Sequence, residues 1–191
     1  MESVAVIGGG QMGSQIAALA AMAGYETNIY DKDIKNLKSK IKFTEENLMN
    51  LVEKGRYEKT HLENFKNYLK TAESIDETIN NKSFVIEAVV EKLDVKLQIF
   101  EDISKKLNED VVLATNSSFI PASELAKPCE HPSRFINMHF FYPPIRMDLV
   151  EISYPKETSK ETIERTQNLG KDMGRTVVTC KKETPGFIVN R

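Results

Sequence analysis

The chain has no tryptophan, two cysteines and three histidines among its 191 residues, and no long uninterrupted apolar run. Each absence excludes something. Cys129 and Cys180 are too few and too separated for a disulfide framework or a metal cluster, and a reducing compartment suits them. A helical membrane span needs about 20 apolar residues in a row, and no stretch approaches that. An excess of one charge is also missing: 26 basic residues against 28 acidic ones leave a formal charge of −2. No broad basic field is therefore available for nucleic acid. An apolar strand begins within the first few residues, so no leader segment is expected. The expectation is a cytoplasmic protein with neither nucleic-acid nor membrane partners and no metal. Its length is enough for one well-buried α/β domain and short for two.

What is present is concentrated near the start. Val4-Ala5-Val6-Ile7 runs into Gly8-Gly9-Gly10-Gln11-Met12-Gly13, followed by small residues from Ser14 to Ala23. An apolar, β-branched run that ends in glycine reads as a buried parallel strand. Gly8 permits a sharp turn into the next helix. Gly10 removes a side chain where the backbone approaches a pyrophosphate, and Gly13 allows close packing of helix on strand. Phosphates there face the free N–H groups and positive end of the helix, with Gln11 and Met12 in its first turn.

Gly24 stops that helix, and Glu26 to Tyr30 reads as a second strand ending at Asp31. A carboxylate at this place accepts both adenosine ribose hydroxyls and repels a 2′-phosphate, which favours NAD over NADP. Lys32 follows directly and moderates that repulsion. A glycine turn alone is weak evidence, because tight turns use glycine without any ligand. Here strand, spacing, helix, second strand and terminal acid occur in register, and dinucleotide binding is the better reading.

From Ile34 to Lys54 apolar residues recur at near-helical spacing within a highly charged segment. Gly55 breaks the pattern, and Tyr57 to Leu69 resumes it with Leu62, Phe65 and Leu69. This helical excursion on the edge of the sheet is longer than nucleotide binding requires. Spacing alone favours a solvated helical hairpin over a clamp on an extended charged ligand.

Further strands are expected over 83–88, 111–114, 134–138, 149–152 and 176–179, with helices over 94–107 and 160–171. Pro185-Gly186 marks a break. The alternation predicts a Rossmann-like, doubly wound, mostly parallel sheet with antiparallel additions late in the chain. Ligands of such sheets lie beyond the C-terminal strand ends, which brings Glu91, Lys96 and the segment Thr115-Asn116-Ser117-Ser118 to one edge.

His61 and His131 have no catalytic neighbours in sequence. His139 ends a predicted strand and precedes the apolar, stiff Phe140-Phe141-Tyr142-Pro143-Pro144. Glu151 lies in the next strand, between Val150 and Ile152 that point to the opposite face, and an acid there calls for a partner. A carboxylate-held imidazole accepts a proton well, and oxidising an alcohol by hydride transfer requires such a base. A satisfied structural histidine fits the spacing equally well.

Six segments together make a more specific pattern: Val-Ile-Gly-Gly-Gly-Gln-Met-Gly at 6–13, Ile-Glu-Ala-Val-Val-Glu at 86–91, Thr-Asn-Ser-Ser at 115–118, His-Phe-Phe at 139–141, Leu-Val-Glu-Ile at 149–152 and Thr-Pro-Gly-Phe-Ile-Val-Asn-Arg at 184–191. In this order they resemble the NAD-binding domain of the L-3-hydroxyacyl-CoA dehydrogenase family. The resemblance implies NAD-dependent oxidation of an L-3-hydroxyacyl-CoA to the 3-ketoacyl-CoA, or the reverse reduction, in fatty-acid or butanoate metabolism. It makes His139 the base, Glu151 its partner, and Ser118 and Asn190 the groups that place the reacting oxygen. Glu91, Lys96 and Asn116 become cofactor contacts alongside Gly8, Gly10, Gln11, Met12, Gly13 and Asp31. The helical excursion aligns with the family's coenzyme A segment, which raises the clamp reading and puts Asn47 and Lys54 at the substrate.

The chain departs from the family at Tyr142, where asparagine is usual. The resemblance further implies an NAD-binding domain over 1–185, and at 186–191 the start of a linker to a helical C-terminal domain that this chain does not include. Oligomers would form through, or with, that domain. Two alternatives stay open: a nucleotide-binding module without turnover, and a β-hydroxyacid dehydrogenase acting on a free acid.

Overall fold

The computed structural model describes residues 2–180 and 183; Asn190 and the Pro185-Gly186 break lie outside the described residues. Strand β1 (Ser3–Ile7) is buried along its whole length. Helix α1 (Gln11–Met22) follows the glycine turn, and β2 (Glu26–Tyr30) pairs parallel with β1. Next come α2 (Ile34–Glu53) and α3 (Lys59–Tyr68), both close to the expected bounds. The Asp33 carboxylate caps α2 by accepting the Asn36 N–H.

The sequence pattern carried the second apolar stripe through Leu69. The chain instead leaves α3 there and forms a short edge strand, β3 (Leu69–Thr71), beside β2. A short helix α4 (Ile75–Ile79), capped by Ser74, leads into β4 (Phe84–Glu87). Then follow α5 (Leu93–Ser104), β5 (Val112–Thr115), the single turn α6 (Ala122–Leu125) and β6 (Phe135–Phe140). The described chain closes with β7 (Leu149–Ser153), α7 (Lys160–Asp172) and β8 (Thr176–Thr179).

The eight strands form one sheet in the order β3-β2-β1-β4-β5-β6-β7-β8. Its first six strands are parallel and wind outward both ways from the β1–β4 neighbourhood. This is the dinucleotide-binding order, with its switch point between β1 and β4. β7 pairs antiparallel with β6, and β8 runs parallel to β7, so the late antiparallel addition is present.

Side-chain alternation divides the core in two. Val4, Val6, Ile29, Ile86, Met138 and Ile152 lie in the core with residues of α1 and α7, whereas Ala5, Ile7, Val85, Leu113 and Phe135 lie in the core with residues of α5 and α6. Phe100 of α5 meets Phe135 edge-on, with ring centroids 4.7 Å apart. Each such large apolar side chain contributes roughly 2 kcal/mol when removed from water.

The helical excursion does more than border the sheet. α2 and α3 both pack on α1, burying Leu37, Leu48, Leu51 and Phe65. A solvated hairpin does not describe them. Covering from both sides explains why α1 is built of alanine and other small residues, since bulk there would push two helices off the sheet. No helix among the described residues is long and apolar enough to cross a membrane.

Candidate active site

The glycine turn closes the end of β1 with little space to spare. Gly8 has φ +104°, and a Cβ on it would lie 2.6 Å from the Ala88 carbonyl carbon at the end of β4. A Cβ on Gly13 would lie 1.8 Å from the Gly8 carbonyl oxygen. Gly10 differs, because a Cβ there meets no atom within 4 Å. Packing dictates the first two glycines, whereas at Gly10 the empty space itself is the feature. Gly10 is also the N-cap of α1, and no side chain caps that helix end. The N–H groups of its first turn are thus left for an external acceptor.

Asp31 stands at the end of β2. Its Oδ2 accepts the Gly9 N–H at 2.7 Å and its Oδ1 the Asp33 N–H at 2.9 Å. The carboxylate is therefore oriented before any ligand arrives. A cavity of about 490 Å³ opens beside it, lined by Gly8, Gly10, Tyr30, Asp31, Val89 and Val95 among others. Space at Gly10, an uncapped helix start, an oriented acid and an apolar-sided cavity fit the adenosine and phosphates of a dinucleotide.

Three strands further along the same edge, His139 and Glu151 are opposite each other in the β6–β7 register. Both are buried, and His139 Nδ1 is 3.6 Å from Glu151 Oε2. On the other side of the ring, Nε2 is 3.1 Å from Ser118 Oγ. Phe141 meets the imidazole edge-on at 4.7 Å between centroids, which helps to exclude water. Burial lowers the His139 pKa from 6.5 to about 4, opposed in part by the negative charge of Glu91. At neutral pH the ring is uncharged and able to accept a proton.

Ser118 is held from several directions. Glu91 Oε1 accepts the backbone N–H groups of Ser118 and Phe119 at 3.0 and 3.1 Å, and also the Ser117 hydroxyl. Burial would raise the Glu91 pKa. The Ser117 hydrogen bond, the Lys96 charge and the Phe119 N–H outweigh it and hold the carboxyl below its ordinary value. Asn116 Oδ1 accepts the Phe140 N–H at 2.9 Å, tying the end of β5 to the strand that carries His139. Asn137 donates to the Ser117 carbonyl at 2.9 Å.

Two expected rim residues sit differently from the sequence picture. Lys96 lies beneath the rim: it is 1% exposed, with Nζ 2.6 Å from Glu87 and 3.2 Å from Glu91. Asn116 spends its carbonyl oxygen on backbone. Gln11 and Met12 occupy the first turn of α1 as expected. Asn47 and Lys54 are two helical turns apart on one face of α2, about 10 Å along its axis. Asn47 Oδ1 accepts from Arg146 at 3.4 Å, and Lys54 is exposed at the end of the helix.

Sequence reasoning passed over the residues that hold the loop after His139. Arg175 is 6% exposed and donates to the carbonyls of Pro144 and Met147 and to Tyr57 Oη. Tyr57 itself donates to the Ile145 carbonyl at 2.9 Å, and Arg56 pairs with Asp148 at 2.8 Å. The connection between α2 and α3 thereby grips segment 144–148. Glu87 was missed too, although a buried acid closing an apolar strand is itself a signal of a partner nearby.

A parallel sheet wound in this order, with an open glycine turn facing an oriented aspartate and a buried histidine–carboxylate pair on the same edge, defines a dinucleotide-binding domain. Residues 3–184 match the family model described as 3-hydroxyacyl-CoA dehydrogenase, NAD binding domain, and the chain belongs to that family, with NAD as its cofactor. The whole chain is 34% identical to mitochondrial hydroxyacyl-coenzyme A dehydrogenase of Sus scrofa, covering 62% of that protein. It is 31% identical over 98% of its length to 3-hydroxybutyryl-CoA dehydrogenase of Clostridioides difficile, covering 66% of it. The crystal structure of 3-hydroxybutyryl-CoA dehydrogenase from Escherichia coli superposes with a TM-score of 0.92 at 33% identity. That match covers all of this chain and 40% of the other. The chain thus spans less than two thirds of the length of these relatives.

Proposed function

We propose that this chain is the NAD-binding domain, over 1–185, of an enzyme that interconverts an L-3-hydroxyacyl-CoA and its 3-ketoacyl-CoA, with 186–191 opening a linker to a helical C-terminal domain. The observation that carries the reading is the buried His139–Glu151 pair, with Ser118 at the other ring nitrogen, on the same sheet edge as the glycine turn. A crystal structure of (S)-3-hydroxybutyryl-CoA dehydrogenase from Ralstonia eutropha, 30% identical with a TM-score of 0.92, supports the same substrate class and hand.

NAD, when bound, supplies the hydride acceptor. His139 Nε2 takes the hydroxyl proton, because Nδ1 is turned to Glu151 and keeps its hydrogen there. Glu151 stabilises the imidazolium that results. Ser118, with Asn190 from beyond the described residues, polarises the substrate oxygen. Burial matters twice: it keeps His139 neutral beforehand, and it strengthens the Glu151 attraction afterwards by lowering the local dielectric. Asp31 and the α1 N-terminus hold the adenosine and pyrophosphate, with Glu91, Lys96 and Asn116 on the nicotinamide side. The half-buried Asn47 of α2 and the exposed Lys54 at its C-terminal end receive coenzyme A. The two unpaired cysteines suit a cytoplasmic setting, and subunits associate through the C-terminal domain.

NADH fluorescence titration beside acetoacetyl-CoA reduction tests the reading, with saturable binding and turnover expected. Reduction of a free 3-keto acid but not of its CoA ester would overturn the substrate assignment. Because the chain spans only 62% of the pig enzyme, binding without turnover would instead identify an NAD-binding module that needs its second domain.

A further inference from the structure

Glu91 holds the loop that carries Ser118 through one oxygen of its side chain and is itself held through the other. One oxygen accepts the Ser117 hydroxyl at 2.5 Å and the Ser118 and Phe119 N–H groups at 3.0 and 3.1 Å. The other faces Lys96 Nζ at 3.2 Å. Lys96 is anchored in turn by Glu87, whose second oxygen accepts the Thr115 hydroxyl at 2.7 Å. Thr115 Oγ1 accepts the Ser117 N–H at 3.2 Å, so the network returns to the loop from its other end. Ser117 Oγ also accepts the Ile120 N–H at 2.9 Å, which closes the turn.

A surface glutamate with one lysine partner would be worth little. Here the ammonium and the inner carboxylate are 1% and 0% exposed. Water does not compete with the Lys96–Glu87 bond, and that buried pair anchors Glu91, which is itself 36% exposed, from behind.

We propose that Glu91, fixed by the buried Lys96–Glu87 pair, is a positioning residue that holds Ser118 Oγ against His139 Nε2 and places a permanent negative charge within range of that imidazole. This rests on the assignment of His139 and Ser118 to the reaction. It differs from a cofactor-rim contact, because the effect passes through the serine loop and through the histidine. The groups around His139 include Glu151 from β7, Ser118 from the loop after β5 and the Phe141 ring edge, and the charge of Glu91, from the segment after β4, acts on the ring. Lys96 stands behind Glu91, and Cys180 lies near Glu151. Glu91 is thus the charged neighbour that can be removed without touching the histidine's own strand pair.

The test follows the ring resonances of the three histidines by NMR across a pH titration, with His139→Gln identifying the His139 signal. Glu91→Gln and Ser117→Ala are compared with the parent chain, and NADH affinity is measured for each. Glu91→Gln should move the His139 midpoint downward by about half a unit or more, since it removes the charge that opposes burial. Ser117→Ala keeps that charge, so it should shift the Ser118 and Phe119 amide resonances and leave the midpoint in place. Where turnover is measurable, Ser117→Ala should also lower kcat by about tenfold with NADH affinity kept, as expected for a misplaced catalytic group.

An unchanged midpoint in Glu91→Gln with weakened NADH binding would make Glu91 a cofactor contact only and overturn the proposal. Should Glu91→Gln fail to fold, Ser117→Ala decides: unmoved Ser118 and Phe119 amides overturn it. Failure of the hydroxyacyl-CoA reading would show instead as reduction of a free 3-keto acid but not of its CoA ester, because the titration and amide shifts require no substrate.

Discussion

His139 and Glu151 face each other across the seam at which the sheet changes from parallel to antiparallel, so a backbone ladder sets their spacing. Replacing His139 with glutamine preserves volume and removes the base. Turnover should fall roughly a hundred- to ten-thousand-fold, with NADH affinity retained. Parallel fluorescence titration and steady-state assays check this, and loss of NADH binding would assign the histidine a structural role.

Acid should destabilise the native state through the same residue. The His139 pKa is lowered from 6.5 to about 4 by burial, so between those values the unfolded chain binds a proton that the native chain does not. The stability is intact above pH 6.5, declines as pH falls through the window, and is lost by roughly 3 kcal/mol below it. Urea unfolding at a series of pH values should show this slope in the parent and a shallower one in His139→Gln.

The glycine turn predicts opposite outcomes for two alanine substitutions. Gly13→Ala drives a methyl into the Gly8 carbonyl and should lower stability by about 3 kcal/mol or more. Gly10→Ala meets no atom of the chain, so the melting temperature should hold while NADH affinity drops. Thermal melts with and without NADH separate the two effects.

Lys96→Met should destabilise by about 3–5 kcal/mol, because it strands the fully buried Glu87 carboxylate. Pairing it with Glu87→Gln removes the stranded charge and should recover a large part of that loss. Denaturant midpoints of the parent, the two single variants and the double variant form the required cycle.

The sequence made the strand–glycine–helix unit and the His139–Glu151 pair legible because both depend on short-range pattern: glycine spacing in one case, strand alternation in the other. β3 was not legible. Leu69-Lys70-Thr71 is too short to show alternation, and Leu69 also completes a helical stripe. Lys96 shows what local pattern leaves out, since a lysine four residues into an amphipathic helix reads as solvated until its partners are located. Those partners, Glu87 and Glu91, come from the preceding strand and the turn beyond it. Arg175 is similar, because most of its acceptors are backbone carbonyl groups, which leave no trace in sequence. The α2–α3 pair was misjudged as solvated because charged residues dominate its composition, whereas the few residues facing α1 determine where it packs.

Because hydrogen-bonded rungs between β6 and β7 index the histidine and the glutamate to each other, the eight residues that join the strands contribute nothing to that alignment. Beyond Phe141, which packs on the imidazole, the segment up to residue 148 can therefore change its chemistry while the register of the pair is kept. A slip of one rung would be another matter, turning every side chain of β7 to the opposite face at once. The pairing of two strands, rather than the loop that connects them, thus fixes how the histidine meets the glutamate.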